Sequence, residues 1–297
     1  MDLSEVEADL DLQSVFPLDI VILQSILDTH FLGTGDHLLY LPSVESTNTL
    51  AMQLAHERPD EGLVVLTDSQ TAGRGRQGRR WIDVPGCNVL LSILLRPLFP
   101  PHLLVMLASL AVVDSIAETC KIAATIKWPN DVLVEDRKVA GILIETSHDS
   151  SDSLIAVVGI GVNVNGHIQD FSEHNAVQVP LTATATTLEA VCGHTVSREV
   201  FIAHLLRYIE ESYIALQQEL TELSAVGTAT SGHYSRFVRE RWRNQLTTLG
   251  RTITVQQGNA KVSGIVEDVD DSGGLLLRRH SGELVSITWG DVEYPAG

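Results

Sequence analysis

The stretch Gly73-Arg74-Gly75-Arg76-Gln77-Gly78-Arg79-Arg80-Trp81 decides how this chain is read. Its glycines allow positive φ and close approach to a ligand, and four arginines within seven residues supply donors for phosphate or carboxylate. The pattern G-x-G-x-x-G also imitates a dinucleotide fingerprint, and the strand-like Leu63-Val64-Val65-Leu66 lies upstream of it. A dinucleotide site needs a helix N-terminus directly after the glycines. Here Trp81-Ile82-Asp83-Val84-Pro85-Gly86 follows, with no amphipathic helix, so that reading is rejected. Arginine side chains and loop amides are left to hold an anion, and their clustered charge predicts a loop that is mobile when empty. Taken alone, the nine residues are equally compatible with a solvated basic turn.

The 297-residue chain has room for a large domain and a small one. Its formal charge of −18 argues against a phosphate-neutralising surface, and the arginine stretch is too short for a duplex footprint. A small anion is the expected target, with nucleic acid excluded as a partner. Cys87, Cys120 and Cys192 are widely spaced with no C-x-x-C, which predicts buried free thiols in a reducing, cytoplasmic compartment. The first Lys or Arg is Arg58, so no secretory signal is expected. The apolar run Leu103 to Val113 reaches about half of the ~20 residues that a membrane span needs, so no transmembrane segment is expected.

Along the chain, residues 1–35 turn from acidic to apolar, which predicts a short helix packed on the body, with a partner-binding arm as the alternative, and no DNA reader, since they contain no Lys or Arg. Leu38 to Leu41, Gly62 to Asp68, Asn88 to Leu95, Thr125 to Lys127, Val132 to Val134, Val139 to Glu145 and Leu154 to Val164 read as strands, with a tight turn at Asp136-Arg137. Ser46 or Asn48 caps a helix through Leu50 and Leu54, and Pro101 opens a core helix. Thr186 to Glu189 fits a capping box, with Cys192-Gly193 as its stop. Ser197 caps a helix carrying Phe201, Leu205, Ile209 and Tyr213 on one face. Thr221 to Ser235 loses periodicity and reads as a surface loop. Four short strands beyond Leu246 predict a small β-barrel.

Polar clusters stand at the ends of these elements: Ser46-Thr47-Asn48, Gln70, Lys127-Trp128-Pro129-Asn130-Asp131, Lys138 and Asn163. Loops from several strand ends converge readily on one pocket. Pro129 biases Trp128 to an extended conformation. Gly159 and Gly161 inside a strand mark either a bulge or a close approach. Each cluster by itself is also compatible with an ordinary turn or an exposed strand lysine.

Taken together and in order, Glu45 to Asn48, Gln70 to Trp81, Lys127 to Asp131, Arg137 to Glu145 and Gly159 to Asn163 resemble the biotin protein ligases, over the chain from about residue 37 to the end. The resemblance implies an α+β catalytic domain at 36–245, a mixed sheet with helices on one face of the class II synthetase-like type. A C-terminal SH3-like β-barrel follows at 246–297, and residues 1–35 form a segment that is not a DNA-binding domain. It implies that ATP and biotin are substrates, with Mg2+ assisting, and that biotinyl-5′-AMP forms with release of pyrophosphate. Biotin then passes to a specific lysine of the biotin carboxyl carrier protein of acetyl-CoA carboxylase or a similar enzyme.

Carried over residue by residue, Ser46, Thr47, Asn48, Gln70, Arg74, Gly75, Arg76 and Lys138 bind biotin. Arg74, Arg76, Arg79, Trp81, Asn130, Lys138 and Asn163 hold ATP or the adenylate, with Asn163 as a nucleotide or metal contact and Trp81 also a packing residue. Arg76, Lys138, Asp131 and Lys127 form the catalytic set. Asp131 either orients the incoming lysine or faces the metal. Gln77 stands where relatives often have a basic residue. The same architecture serves lipoate or octanoate ligases and transferases, and some members are biotin-sensing repressors. The neutral polar set argues for a ureido head over an alkyl chain. Monomer and homodimer both remain open.

Overall fold

A computed structural model describes residues 17–169, 184–226 and 232–294. The acidic stretch expected at residues 1–16 and the part of the expected surface loop at 227–231 lie outside the described residues. Seven strands form one mixed sheet: β1 (Leu38–Val44), β2 (Val64–Gln70), β3 (Asn88–Leu95), β4 (Thr125–Lys127), β5 (Asp131–Val134), β6 (Arg137–His148) and β7 (Leu154–Asn163). Their spatial order is β1-β2-β3-β7-β6-β5-β4. β1 runs parallel to β2, and the other neighbours are antiparallel.

Strand β3 is buried along its whole length, which explains its continuous apolar run: both faces of the sheet are covered. On one face Val64, Leu66, Leu91, Ile93, Val158 and Ile160 join the main core with α3 (His102–Cys120) and α5 (Arg198–Val226). On the other, Val65, Leu94, Ile155 and Val157 pack with Ala51 and Ala55 of α2 (Thr47–Ala55). The expected helical layer on one face therefore holds for the two long helices. The short α2 is the exception, and it covers only part of the opposite face.

Helix α3 extends past Asp114 to Cys120, because Arg241 pairs with that carboxylate at 2.8 Å. At 19 residues it is long and apolar enough to cross a membrane, but 67% of that stretch is buried inside this fold. Its serines are satisfied within the helix, as in the 2.7 Å bond from Ser115 to the Ala111 carbonyl. In α4 (Leu188–Cys192) the cap is Thr187, not Thr186, since Ala190 N donates to the Thr187 hydroxyl. The expected capping box is thus displaced by one residue, and Glu189 bonds the Gly166 amide instead.

The loop expected over 221–235 is largely replaced by helix. Helix α5 continues to Val226, and α6 (His233–Gln245) starts within the same stretch. Glu219 on α5 accepts from the Ser235 amide at 3.0 Å, so one helix caps the next. Val238 and Trp242 are the buried side of α6. The β5–β6 turn is centred on Glu135 and Asp136, both at positive φ, one residue earlier than read. The three cysteines are half-buried, less enclosed than expected, and none is in a disulfide.

Helix α1 (Ile20–Ile26) opens with Asp19 capping the Ile22 amide at 2.9 Å. Glu210 on α5 anchors the segment after it, accepting from the backbone amides of Phe31 and Leu32 at 2.9 Å each. A buried pair, Arg198 with Asp68 at 2.6 Å, joins α5 to β2.

The C-terminal strands are β8 (Thr252–Gln257), β9 (Ala260–Val269), β10 (Leu275–Arg278), β11 (Leu284–Ile287) and β12 (Asp291–Glu293). They form a five-stranded antiparallel sheet in the order β11-β10-β9-β8-β12. β12 is additional to the four strands expected. Gly290, at φ +133, breaks the run toward Trp289, and a Cβ there would lie 2.5 Å from Val255. The chain turns and pairs β12 with β8. Trp128 fastens this sheet to the larger one by donating its indole N–H to the Gly273 carbonyl at 2.8 Å.

Candidate active site

Beyond the end of α2, the floor of the sheet is made of glycine. A Cβ on Gly159 would lie 2.2 Å from Asn48 Oδ1, and one on Gly161 would lie 2.6 Å from the Trp81 ring. The strand glycines thus make room for two side chains of the protein's own. Around them lies an open-mouthed cleft with a cavity volume of about 170 Å³. It is lined by Ser46, Thr47, Asn48, Gln70, the loop residues Arg74, Gly75, Arg76, Arg79 and Trp81, and by Lys127, Asn130, Asp131 and Lys138.

One end is neutral and hydrogen-bonded. Ser46 caps α2 through Thr49 N, which places Thr47 and Asn48 in its first turn, both buried. Gln70 Oε1 accepts from Thr47 N at 2.9 Å. The carboxamide NH2 of Gln70 takes no partner among the described residues, and it is available to an acceptor in the cleft. Ser92 Oγ lies 2.7 Å from Thr47 Oγ1 and 2.6 Å from Asn48 Oδ1. Thr47 Oγ1 donates its proton to Gln70 Oε1 at 3.2 Å, so the single proton of Ser92 is offered to Thr47 Oγ1 and Asn48 Oδ1. Asn48 Nδ2 donates to Glu145 at 2.8 Å. Behind them, Gln70 N bonds Asp83, whose carboxyl is pushed up by burial against the pull of Ser69 and Gln70.

The other end is cationic. Six basic side chains line the cleft against two carboxylates, Asp131 and Asp291. The arginine stretch is a closed hairpin: Trp81 N bonds Gly73 O at 3.0 Å and Gly75 N bonds Arg79 O at 2.7 Å. Its tip turns through Gln77 and Gly78, both at positive φ. Charge expected to drive the loop apart is offset by carboxylates, since Arg74 pairs with Glu145 at 2.6 Å and Arg79 pairs with Asp291. Lys138 likewise meets Asp131 at 2.7 Å, with its ammonium 5.5 Å from the centre of the Trp81 ring.

Arg76 differs from these. It reaches only neutral oxygens, Asn130 Oδ1 at 3.0 Å and the Gly290 carbonyl at 3.5 Å. Burial pulls its pKa below the ordinary arginine value, opposed by Asp291 and Asp131. The guanidinium remains charged, as arginines do in proteins. A part-buried cation without a carboxylate partner is a prepared position for an anion.

Asn130 is fixed from both sides, donating to Ile142 O at 2.7 Å while accepting from Arg76. The Trp128–Pro129 peptide before it is cis, which nothing in the sequence announced. Lys127 lies 5.2 Å over the ring of Tyr294, which belongs to the C-terminal segment. The Trp81 indole N–H is buried with no acceptor, a donor that a bound molecule can complete.

Asn163 is the one predicted site residue that the structure does not bring to the cleft. It is buried beyond Gly161, accepting from Asn88 at 3.2 Å and donating to the Thr186 carbonyl at 3.2 Å. Position in a motif cannot reveal that an amide is already engaged. Conversely, Ser92, Glu145, Asp83, Asp291 and Val292 belong to the site or support it and were not singled out. Ser92 was detectable as a lone hydroxyl inside an apolar strand. Asp291 carried no local signal, because it arrives from the C-terminal sheet.

Residues 40–163 match the family described as the Biotin/lipoate A/B protein ligase family, and residues 248–294 match the Biotin protein ligase C terminal domain. The chain is 34% identical over 250 residues to the Biotin--[acetyl-CoA-carboxylase] ligase of Paracoccus denitrificans, covering 82% of this chain and 95% of that one. It is 33% identical over 263 residues to the Bifunctional ligase/repressor BirA of Bacillus subtilis, covering 87% and 74%. Among solved structures, the biotin protein ligase from Aquifex aeolicus in complex with biotin and ATP superposes with a TM-score of 0.67 at 26% identity. That match covers 86% of this chain and 97% of that one.

Proposed function

Because this chain belongs to the biotin protein ligase family, we propose that it activates biotin with ATP and transfers it to a lysine of a biotin carboxyl carrier protein. The observation that carries this reading is one cleft with a neutral amide and hydroxyl end beside a cationic end. A ureido ring offers two N–H donors and one carbonyl. The Gln70 carboxamide NH2 suits the carbonyl, and the hydroxyls of Ser46 and Thr47 suit the N–H groups. An alkyl head such as lipoate or octanoate would leave these buried groups unpaired, so those substrates are disfavoured.

In the first step a carboxylate oxygen of biotin attacks the α-phosphorus of ATP. The bond from that phosphorus to the bridging oxygen breaks, and pyrophosphate leaves. Two anions must meet, so fixed positive charge is required. Arg76, which has no carboxylate partner, and Lys138, which gives up Asp131, supply it. Arg74, Gly75, Arg79 and Trp81 close over the adenylate, with Asn130 holding Arg76 in place. In the second step the amine of the acceptor lysine attacks the acyl carbon, AMP leaves and an amide forms. Asp131, freed from Lys138, is placed to orient that amine. For Asn163 we retain only a supporting role, through Asn88 and Thr186.

Magnesium fits as an ion carried by the nucleotide. Among the described residues no group of three or more His, Cys, Asp or Glu could hold a metal, while Asp131 lines the cationic end of the cleft beside Lys138. Magnesium is commonly held by one or two carboxylates together with substrate phosphates. Bound there, it would offset phosphate charge.

We place the catalytic unit at 36–245 and the barrel-like unit at 246–297, in a reducing cytoplasm suited to cysteines outside disulfides. The net charge of −18 speaks against nucleic acid as a partner. The test is transfer: labelled biotin, ATP and a purified carrier domain should give one labelled lysine. A carrier left unlabelled beside active adenylation would remove the second step from the proposal.

A further inference from the structure

The C-terminal sheet contributes directly to the cleft. Strand β12 is held to β8 by the pairing of Asp291 with Gln256, and it places Asp291 and Val292 in the cleft lining. Asp291 binds Arg79 of the arginine hairpin, while the carbonyl of the preceding Gly290 receives Arg76. Arg79 sits at the end of the hairpin tip, where its backbone N–H already bonds Arg76 O at 3.1 Å. One carboxylate, on a different sheet, therefore occupies the guanidinium nearest the outer rim of the loop.

A carboxylate there serves an adenylating enzyme poorly once the nucleotide is bound, since it repels phosphate. It serves the empty enzyme well, by neutralising a cation that would otherwise repel its neighbours. We propose that Asp291 is a positioning residue and a placeholder for phosphate: it latches Arg79 to the C-terminal sheet while the cleft is empty and yields it to the incoming nucleotide. This rests on the assignment of the cleft to ATP. The role differs from that of Asp131 and Glu145, whose partners lie on the same sheet or its loop. Among the described residues the Asp291 contact is the ion pair that joins the loop to the C-terminal sheet, beside the 3.5 Å bond from Arg76 to the Gly290 carbonyl, so its exchange couples nucleotide binding to the attachment of the hairpin.

Two readouts on the full chain test the latch. The first is cleavage of the ligand-free protein by trypsin at Arg76, Arg79 and Arg80. The second is the KM for ATP against the KM for biotin in pyrophosphate exchange. Asp291→Asn should speed loop cleavage about three- to tenfold and lower the KM for ATP by a similar factor, the scale of one partly exposed ion pair. The KM for biotin should stay within about twofold. Arg79→Gln breaks the latch without altering the C-terminal sheet and, with its own trypsin site removed, should speed cleavage at Arg76 and Arg80 as Asp291→Asn does. Adding Asp291→Asn to Arg79→Gln should then leave cleavage at Arg76 and Arg80 unchanged. Unchanged cleavage in both single variants, or a KM for ATP that rises in Asp291→Asn, would overturn the latch. Absence of any biotin-dependent exchange in the unaltered protein would instead overturn the assignment to ATP, while the cleavage readout still decides whether the latch exists.

Discussion

Asn48 lies over Gly159 so closely that a Cβ built on the glycine would fall 2.2 Å from the Asn48 Oδ1 atom. The glycine exists for this contact, which lets the asparagine reach both Ser92 and Glu145. The neutral end of the cleft depends on it. Two inward glycines in a central strand, unfavourable on propensity alone, are the condition for the site.

Gly159→Ala should therefore damage biotin binding as well as stability. Overpacking of this kind costs about 1–3 kcal/mol. The KM for biotin should rise at least about tenfold, which corresponds to about 1.4 kcal/mol, with the KM for ATP little changed. Steady-state exchange kinetics and a thermal melt separate the two effects. Equal rises in both KM values would place Asn48 outside the biotin end.

Arg76→Gly removes a part-buried cleft cation that has no carboxylate partner, together with its bonds to Asn130 and Gly290. The adenylate should be held less firmly, leak from the enzyme and label lysines of bystander proteins. Incubation with biotin, ATP and serum albumin reads this directly. Bystander labelling at the level of the unaltered protein would count against a retaining role.

The Glu210 carboxylate gives a pH prediction. Burial would raise its pKa, but the backbone amides of Leu32, His30 and Phe31, with the His30 ring, together hold it below the ordinary glutamate value. A lowered folded pKa means stabilisation that is complete above the ordinary glutamate range and is lost as pH falls through the folded value. Glu210→Gln should thus be destabilised by about 1.5–3 kcal/mol at neutral pH, the scale of hydrogen bonds to a charged group. The gap to the unaltered protein should narrow in acid. Urea unfolding at pH 7 and pH 4 measures it, and a gap that widens in acid would refute the linkage.

Much of this was legible in the sequence because its signals were local. Periodicity and caps located the strands and the long helices, and ordered motifs located Ser46 to Asn48, the arginine hairpin, Asn130 and Lys138. What escaped was set by distant partners. The stretch 221–235 lacks periodicity, yet it is largely helical where Glu219 caps α6 and Trp242 is buried. Asp291 is one carboxylate among many until a second sheet carries it to Arg79. Asn163 matched a motif, but its amide is committed to Asn88 and Thr186.

Lys138→Ala should nearly abolish adenylation, because it removes the ammonium that Asp131 now holds at 2.7 Å and that must later offset two meeting anions. Loss of about 10²-fold or more in the exchange rate, with the fold intact by circular dichroism, is expected. A rate within about twofold of the unaltered protein would remove Lys138 from the reaction.

Biotin-dependent exchange of labelled pyrophosphate into ATP by the purified chain tests the central claim most directly, because it requires adenylation and nothing beyond it. Exchange that needs both biotin and ATP, and that lipoate or octanoate cannot support, is the predicted result. Exchange supported by lipoate or octanoate but not by biotin would contradict the account.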